Sequence, residues 1–334
     1  MPPYRFKRYK PANYPIIQQS LVIIAILFVI FSGLWLFPES EVSEKIPFET
    51  SDFMLISDQQ INSNKSRLES LTNIQEEKIE AQAVVVYDVA NENVLYERNA
   101  DSLHSLASIS KLMTALLVSE LLHDEDRVVT MNREAISQYG NSGLRVGERI
   151  SIHNLSQYSL LSSSNDAAYA IAYSLGEKII PGEGSQSFVD LMNVRAKELG
   201  LYNTKFQNPT GLDMSVIESG ALGTAEDITK LMEYILKKHR SMLSATRYEE
   251  LNIYNVDGEF HRAVNTNRSI HDIPNLIGSK TGYTDIAGGN LTIAFDVGFN
   301  RPIIVTVLNS SWSGRFSDVE YLVNAVLEEI VKEM

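Results

Sequence analysis

The stretch Leu106-Ala107-Ser108-Ile109-Ser110-Lys111-Leu112-Met113-Thr114-Ala115-Leu116-Leu117-Val118 constrains this chain more than any other. Ile109, Leu112, Met113, Leu116 and Leu117 recur at i, i+3, i+4, i+7 and i+8, the apolar stripe of a helix packed into a core. The spacing predicts that Ser108 opens this helix and that Lys111, one turn on, shares its face. A serine hydroxyl needs a base before it can act as a nucleophile, and a desolvated lysine amine can be that base. A helix start also favours developing negative charge through its free N–H groups. By itself the pair reads equally as a capping serine followed by a solvated lysine, so its meaning depends on what the rest of the chain supplies.

The chain has 334 residues, 44 % of them apolar and 21 % charged, which suits one sizeable globular domain with appendages. Its net charge of −13 argues against a nucleic-acid partner. That balance is uneven, because Arg5, Lys7, Arg8 and Lys10 crowd the first ten residues and leave the remainder more acidic still. The basic cluster is followed by an uncharged apolar run, Leu21 to Phe37, long enough to cross a hydrocarbon layer. Positive charge ahead of the run predicts a cytoplasmic N-terminus and an exported remainder. Pro38-Glu39-Ser40-Glu41 follows where a cleavage site of small residues would be needed for a signal peptide, so an uncleaved anchor is expected. The expected organisation is therefore a basic cytoplasmic tail (1–19), a transmembrane anchor (20–37), a polar spacer (38–80) and a catalytic domain (81–334). The absence of cysteine fits an exported chain.

Along the domain, Ala83–Val89 and Val94–Tyr96 read as a β-hairpin around Asn91-Glu92-Asn93. Helices are expected over Leu155–Gly176, Ser187–Leu199 and Thr224–Lys238, the last with Thr224 and Asp227 as a capping pair. Leu276–Ser279 leads into Lys280, strands follow at Asn290–Val297 and Pro302–Asn309, and an apolar-faced helix closes at Asp318–Lys332. Strands at both ends of a helical middle imply an α/β fold: a central, mostly antiparallel sheet between layers of helices.

Three short motifs occur once each and in order: Ser-x-x-Lys at Ser108 and Lys111, Ser-x-Asn at Ser163 and Asn165, and Lys-Thr-Gly from Lys280 to Gly282. The loop Gly140-Asn141-Ser142-Gly143-Leu144-Arg145-Val146-Gly147-Glu148, the segment Asn208-Pro209-Thr210-Gly211-Leu212-Asp213 and the stretch Gly282-Tyr283-Thr284-Asp285 accompany them. On these motifs the chain, from about Ala81 to the last helix, resembles the low-molecular-weight penicillin-binding proteins, the serine D-Ala-D-Ala carboxypeptidases with a β-lactamase-like fold.

The resemblance implies a division of labour. Ser108 would attack the carbonyl between two D-alanines of a peptidoglycan stem peptide, and Lys111 would take its proton. Ser163 would relay protons to the leaving amine, and Asn165 would hold Lys111 or the substrate amide. Lys280 and Thr281 would bind the carboxylate of the substrate or of a β-lactam antibiotic. Gly282 would keep the strand edge open to a peptide, and the N–H groups of Ser108 and Tyr283 would form an oxyanion hole. Arg268, in a loop ahead of the third motif, is a further candidate for the carboxylate.

No cofactor or metal is expected, since His104, His123, His153, His239, His261 and His271 show no ligand spacing such as His-Glu-x-x-His. On the same fold, a D,D-endopeptidase or transpeptidase, a β-lactamase and a penicillin-acylated sensor with little turnover are the alternatives. The first two share every motif above, while a Glu-x-x-x-Asn loop of the class A β-lactamases is not found between Asn165 and Lys280. Many relatives add a C-terminal β-rich domain and an amphipathic helix. Neither is read before Met334, which assigns anchoring to the N-terminal run.

Overall fold

The structure, a computed structural model, describes residues 70–122, 127–140, 142–298 and 300–333. The expected tail and transmembrane anchor (1–37) lie outside these residues, as does most of the spacer. Among the described residues no helix is long and apolar enough to cross a membrane.

In chain order the strands are β1 (Ala83–Asp88), β2 (Asn93–Arg98), β3 (His104–Ser105), β4 (Val128–Thr130), β5 (Arg149–Ser151), β6 (Lys205–Phe206) and β7 (Ala221–Gly223). They continue with β8 (Glu250–Tyr254), β9 (Phe260–Val264), β10 (Leu276–Thr284), β11 (Gly288–Asp296) and β12 (Pro302–Ser310). The helices are α1 (Lys111–Leu121), α2 (Arg133–Ile136), α3 (Ile152–Leu161), α4 (Asn165–Ile179), α5 (Ser185–Glu198), α6 (Ala225–Lys238) and α7 (Gly314–Glu333).

The main sheet runs β10-β11-β12-β1-β2, with every neighbouring pair antiparallel. Its edges come from opposite ends of the domain, as the strand pattern implies. Alternate residues of β1 serve two cores. Val84 and Val86 pack with Ile293, Val305 and Val307 under Val319, Leu322 and Val326 of α7. Ala83 and Val85 face the helical layer around Leu112, Leu116 and Ile228. A strand covered on both sides reads as a continuous apolar run, which is why 83–86 lack alternation.

Residues ahead of β1 join this packing. Leu71 and Ile79 are buried in the α7 core, and Leu71 N–H donates to the Leu95 carbonyl at 2.8 Å. The buried carboxylate of Asp318 accepts from the N–H groups of Glu80 and Ala81, both at 2.9 Å, and from the Ser310 hydroxyl at 2.6 Å. The packed domain thus includes residues from about Leu71, which composition alone assigns to the polar spacer.

The helical layer differs from expectation in ways that matter for the site. Ser108 lies in a short 3-10 turn, Ala107–Ser110, and α1 begins only at Lys111. The single helix expected over Leu155–Gly176 is two, broken at Ser162-Ser163-Ser164. Each serine of this break has its own part. The Ser162 hydroxyl bonds back to the Tyr158 carbonyl at 2.9 Å, ending α3. Ser164 caps α4, its Oγ accepting from Ala167 N–H at 3.1 Å. Ser163 between them takes φ +59°, the left-handed region that no helix interior allows. Finally, α7 starts four residues ahead of Asp318, so its first turn contains Arg315.

Candidate active site

The edge strand β10 and the turn before α1 meet face to face. A Cβ on Gly282 would stand 2.6 Å from the Leu106 carbonyl oxygen and 3.3 Å from the Ala107 side chain. Its missing side chain therefore admits the Ser108 turn. The opposite side of the turn is gripped as tightly. Gly211 has φ +78°, and a Cβ there would lie 1.8 Å from the Ala107 carbonyl oxygen. The loop bearing Gly211 is built by Asn208, whose Oδ1 accepts from Thr210 N–H at 3.1 Å and Gly211 N–H at 2.7 Å. Thr114 of α1 ties it down through its hydroxyl to the Pro209 carbonyl at 2.8 Å. Clamped in this way, Ala107 itself adopts φ +47° and the half-buried Ser108 projects from a fixed turn.

Lys111 is wholly buried and has three partners. Its Nζ lies 2.8 Å from Ser108 Oγ, 2.7 Å from Asn165 Oδ1 and 2.7 Å from the Thr210 carbonyl oxygen. Burial, reinforced by the charge of Lys280, holds this amine well below the usual lysine range, so the neutral form is favoured. A neutral amine has two N–H bonds and one lone pair. The amide oxygen of Asn165 and the Thr210 carbonyl can only accept, so they take the two hydrogens. The lone pair is left for the one partner that can donate, the Ser108 hydroxyl.

Across the cleft, Lys280 of β10 is also buried; its Nζ donates to Ser163 Oγ at 2.9 Å and to the Thr281 carbonyl at 2.8 Å. Burial first, and Arg315 second, lower it to about 7. The left-handed turn at Ser163 aims that hydroxyl at Lys280 while Asn165, two residues on, reaches Lys111. Thr281 shares a 2.6 Å hydrogen bond with Thr266 through their hydroxyls. Ser108, Lys111, Ser163, Asn165, Lys280, Thr281 and Gly282 are thus connected through one hydrogen-bonded and packed set, drawn from three distant segments. Tyr283 follows on the same strand with its ring exposed.

Arg268 lies in the loop ahead of β10. It is exposed, with its guanidinium 4.4 Å above the Trp312 ring. The buried cation beside β10 is Arg315, whose Nη1 donates to the Gly282 carbonyl at 2.7 Å. Burial and the nearby Arg268 bring Arg315 down to about 10. Its sequence signal was Arg315 next to Gly314, in a stretch that reads as a loop when the helix is started at Asp318. Thr210 was visible only as part of a turn-rich segment, with no sign that its carbonyl grips Lys111.

A serine hydrogen-bonded to a buried lysine, facing a second lysine on the edge of an antiparallel sheet, defines the class of active-serine, penicillin-recognising folds. The chain belongs to the D-alanyl-D-alanine carboxypeptidase family, whose model matches residues 70–311. It is 35 % identical over 231 residues to the D-alanyl-D-alanine carboxypeptidase DacF of Bacillus subtilis, covering 68 % of this chain but 57 % of that protein. It is 31 % identical to a D-alanyl-D-alanine endopeptidase of Escherichia coli, over 72 % of this chain and 74 % of the relative. Among solved structures, a penicillin-binding protein of Listeria monocytogenes in its ampicillin-bound form superposes with a TM-score of 0.63 at 30 % identity. That alignment covers 76 % of this chain and 98 % of the other.

Proposed function

We propose that this protein is a serine D-Ala-D-Ala carboxypeptidase that removes the terminal D-alanine of peptidoglycan stem pentapeptides and is acylated by β-lactams. The observation that carries this reading is the buried Lys111 amine, 2.8 Å from Ser108 Oγ and 2.7 Å from both Asn165 Oδ1 and the Thr210 carbonyl oxygen.

Lys111 accepts the hydroxyl proton as Ser108 Oγ attacks the penultimate D-alanine carbonyl. The oxyanion forms against N–H groups of Ser108 and Tyr283; the first N–H groups of a helical turn have no partner within it, and Ser108 supplies one. The leaving amine takes its proton through Ser163, whose hydroxyl accepts from Lys280 at 2.9 Å. Lys280, Thr281 and Arg315 surround the place of the terminal carboxylate, where two cations and a hydroxyl on one strand edge favour an anion. Water then cleaves the ester with the same base.

The apolar run 20–37 behind a basic tail supports a single-pass anchor with its N-terminus in the cytoplasm and the catalytic domain outside the membrane. Stem peptides are then reached from the membrane surface across the segment that follows. Protease added to intact cells should remove the domain; protection until the membrane is breached would reject the topology.

The activity is tested by incubating the purified chain with a pentapeptide ending in D-Ala-D-Ala and measuring free D-alanine. Mass spectrometry after penicillin exposure should place the adduct on Ser108. Rapid penicillin hydrolysis without peptide turnover would assign a β-lactamase, and an unmodified Ser108 would reject the reading.

A further inference from the structure

Beside Ser163 the cleft widens into a cavity of about 510 Å³ with two walls. Ser142, Gly143 and Tyr158 line one side, and Arg262 and Val264 of β9 line the other. The two walls are joined by a pair outside the catalytic set, Glu148 and His261. His261 Nε2 lies 2.6 Å from Glu148 Oε1, and the two side chains are only 12 % and 3 % exposed. On β9 the exposed Arg262 and Val264 alternate with His261 and the buried Ala263, so His261 points inward.

Glu148 is more than a chance neighbour. Its Oε1 also accepts from Asn255 Nδ2 at 2.9 Å, in the turn between β8 and β9, and its Oε2 accepts from Arg145 N–H at 3.0 Å. Burial pushes this carboxyl up, but the bonds from His261 and Asn255 outweigh it and hold the group below the usual carboxylate range. An ionised carboxylate can only accept, so His261 presents Nε2–H to it. The imidazole meanwhile stacks on Tyr158 with ring centroids 6.1 Å apart.

From this pair, bonds lead to both halves of the site. The Tyr158 hydroxyl donates to the Ser142 carbonyl, and Ser142 Oγ shares a 2.6 Å hydrogen bond with Ser164 Oγ. Ser164 stands between Ser163 and Asn165. In the other direction β9 runs into Thr266, whose N–H donates to the Leu161 carbonyl at 3.1 Å and whose hydroxyl meets that of Thr281 at 2.6 Å. A serine in the left-handed region keeps that turn only where its surroundings over-determine it. The Lys280 amine fixes the Ser163 hydroxyl, and the Ser142 contact fixes the residue after it.

The geometry points to His261 as a positioning residue: through Glu148 and Tyr158 it straps the 142–148 segment to β9 and so holds the Ser163 hydroxyl in the line of proton transfer. The inference rests on the acyl-enzyme reading above. It concerns the rate at which Ser108 is acylated.

The test uses the detergent-solubilised full chain and the rate of penicillin adduct formation on Ser108, with thermal unfolding recorded for each variant. His261→Phe keeps a stacking ring but has no donor for Glu148, and should slow acylation at least ten-fold. His261→Gln restores an N–H close to the position of Nε2 and should return the rate to within three-fold of wild type. In a Ser163→Ala background, His261→Phe should change the rate less than two-fold, because the hydroxyl it positions is gone. His261→Asn, polar but one bond too short for Glu148, repeats the test if the phenylalanine variant does not fold. A wild-type rate in folded His261→Phe or His261→Asn overturns this inference alone. So does a full ten-fold loss that persists without the Ser163 hydroxyl, since His261 would then act on the fold at large. A wild-type chain in which penicillin leaves Ser108 unmodified overturns the acyl-enzyme reading with it.

Discussion

Lys280 donates from Nζ to Ser163 Oγ across 2.9 Å, tying the edge strand of the sheet to the break between α3 and α4. Because Ser163 has φ +59°, this bond depends on a conformation that costs a non-glycine residue on the order of 1–2 kcal/mol. Strain and chemistry can be separated by substitution.

Ser163→Gly should hold or raise stability by up to about 1 kcal/mol, since glycine enters the left-handed region freely. The same change removes the proton path to the leaving amine and should slow acylation by about 10²–10⁴-fold, the usual worth of a positioned acid or base. Thermal unfolding and the rate of penicillin adduct formation measure the two effects. Unchanged acylation would remove Ser163 from the mechanism.

The pH dependence follows from the two lysines. Lys280 sits at about 7 in the fold against 10.5 in a solvated lysine, so between these values the unfolded chain binds the extra proton. Its contribution therefore makes stability increase as pH rises from about 7 toward 10.5. Activity moves the opposite way there, because a neutral Lys280 no longer attracts the substrate carboxylate. Lys111, held well below its ordinary range by burial and by Lys280, must be neutral to act and supplies the acid limb. A bell-shaped kcat/KM profile is expected, with apparent values belonging to the coupled pair. An alkaline limb absent up to pH 10 would take the carboxylate away from Lys280.

Arg315→Gln should lower kcat/KM by roughly 10–100-fold, through loss of a charge-assisted contact worth about 1.5–3 kcal/mol. It also removes the neighbour that depresses Lys280, so the alkaline limb should move to higher pH. A fall in activity with the limb unmoved would mean that Arg315 acts on the strand geometry alone.

Gly211→Ala should destabilise the domain by more than about 2 kcal/mol, combining an unfavourable φ with overpacking. The added Cβ has nowhere to go, with the Ala107 carbonyl oxygen 1.8 Å away. Calorimetry would show the loss directly. A variant with wild-type melting temperature would show that the clamp on the Ser108 turn is slack.

Most of the site could be read from the sequence because its residues belong to short, ordered motifs. Ser108 and Lys111 are one helical turn apart, and Ser163 and Asn165 flank a single residue, so local spacing carries the chemistry. Local spacing also misled. Three serines in an otherwise helical stretch read as helix polarity, and only the caps at Ser162 and Ser164 reveal the break. Arg315 was missed because its role is tertiary: it lies 33 residues from the Gly282 carbonyl it bonds. Arg268 sits nearer in sequence to the third motif, yet the ring of Trp312 holds it on the surface. The Gly282 contact was likewise invisible, since nothing in Lys-Thr-Gly says which backbone will press against it.

The pairing of β1 with β12 carries a kinetic consequence. Val84 meets Val307 and Val86 meets Val305, so the centre of the sheet closes only when residues more than two hundred positions apart find each other. Such long-range closure slows folding, because the loop entropy is lost before the contact is gained. During synthesis the β1–β2 hairpin must wait, its apolar edge unpaired, until β12 has emerged. Chains truncated before β12 should then be substrates for quality-control proteases rather than partly active enzymes.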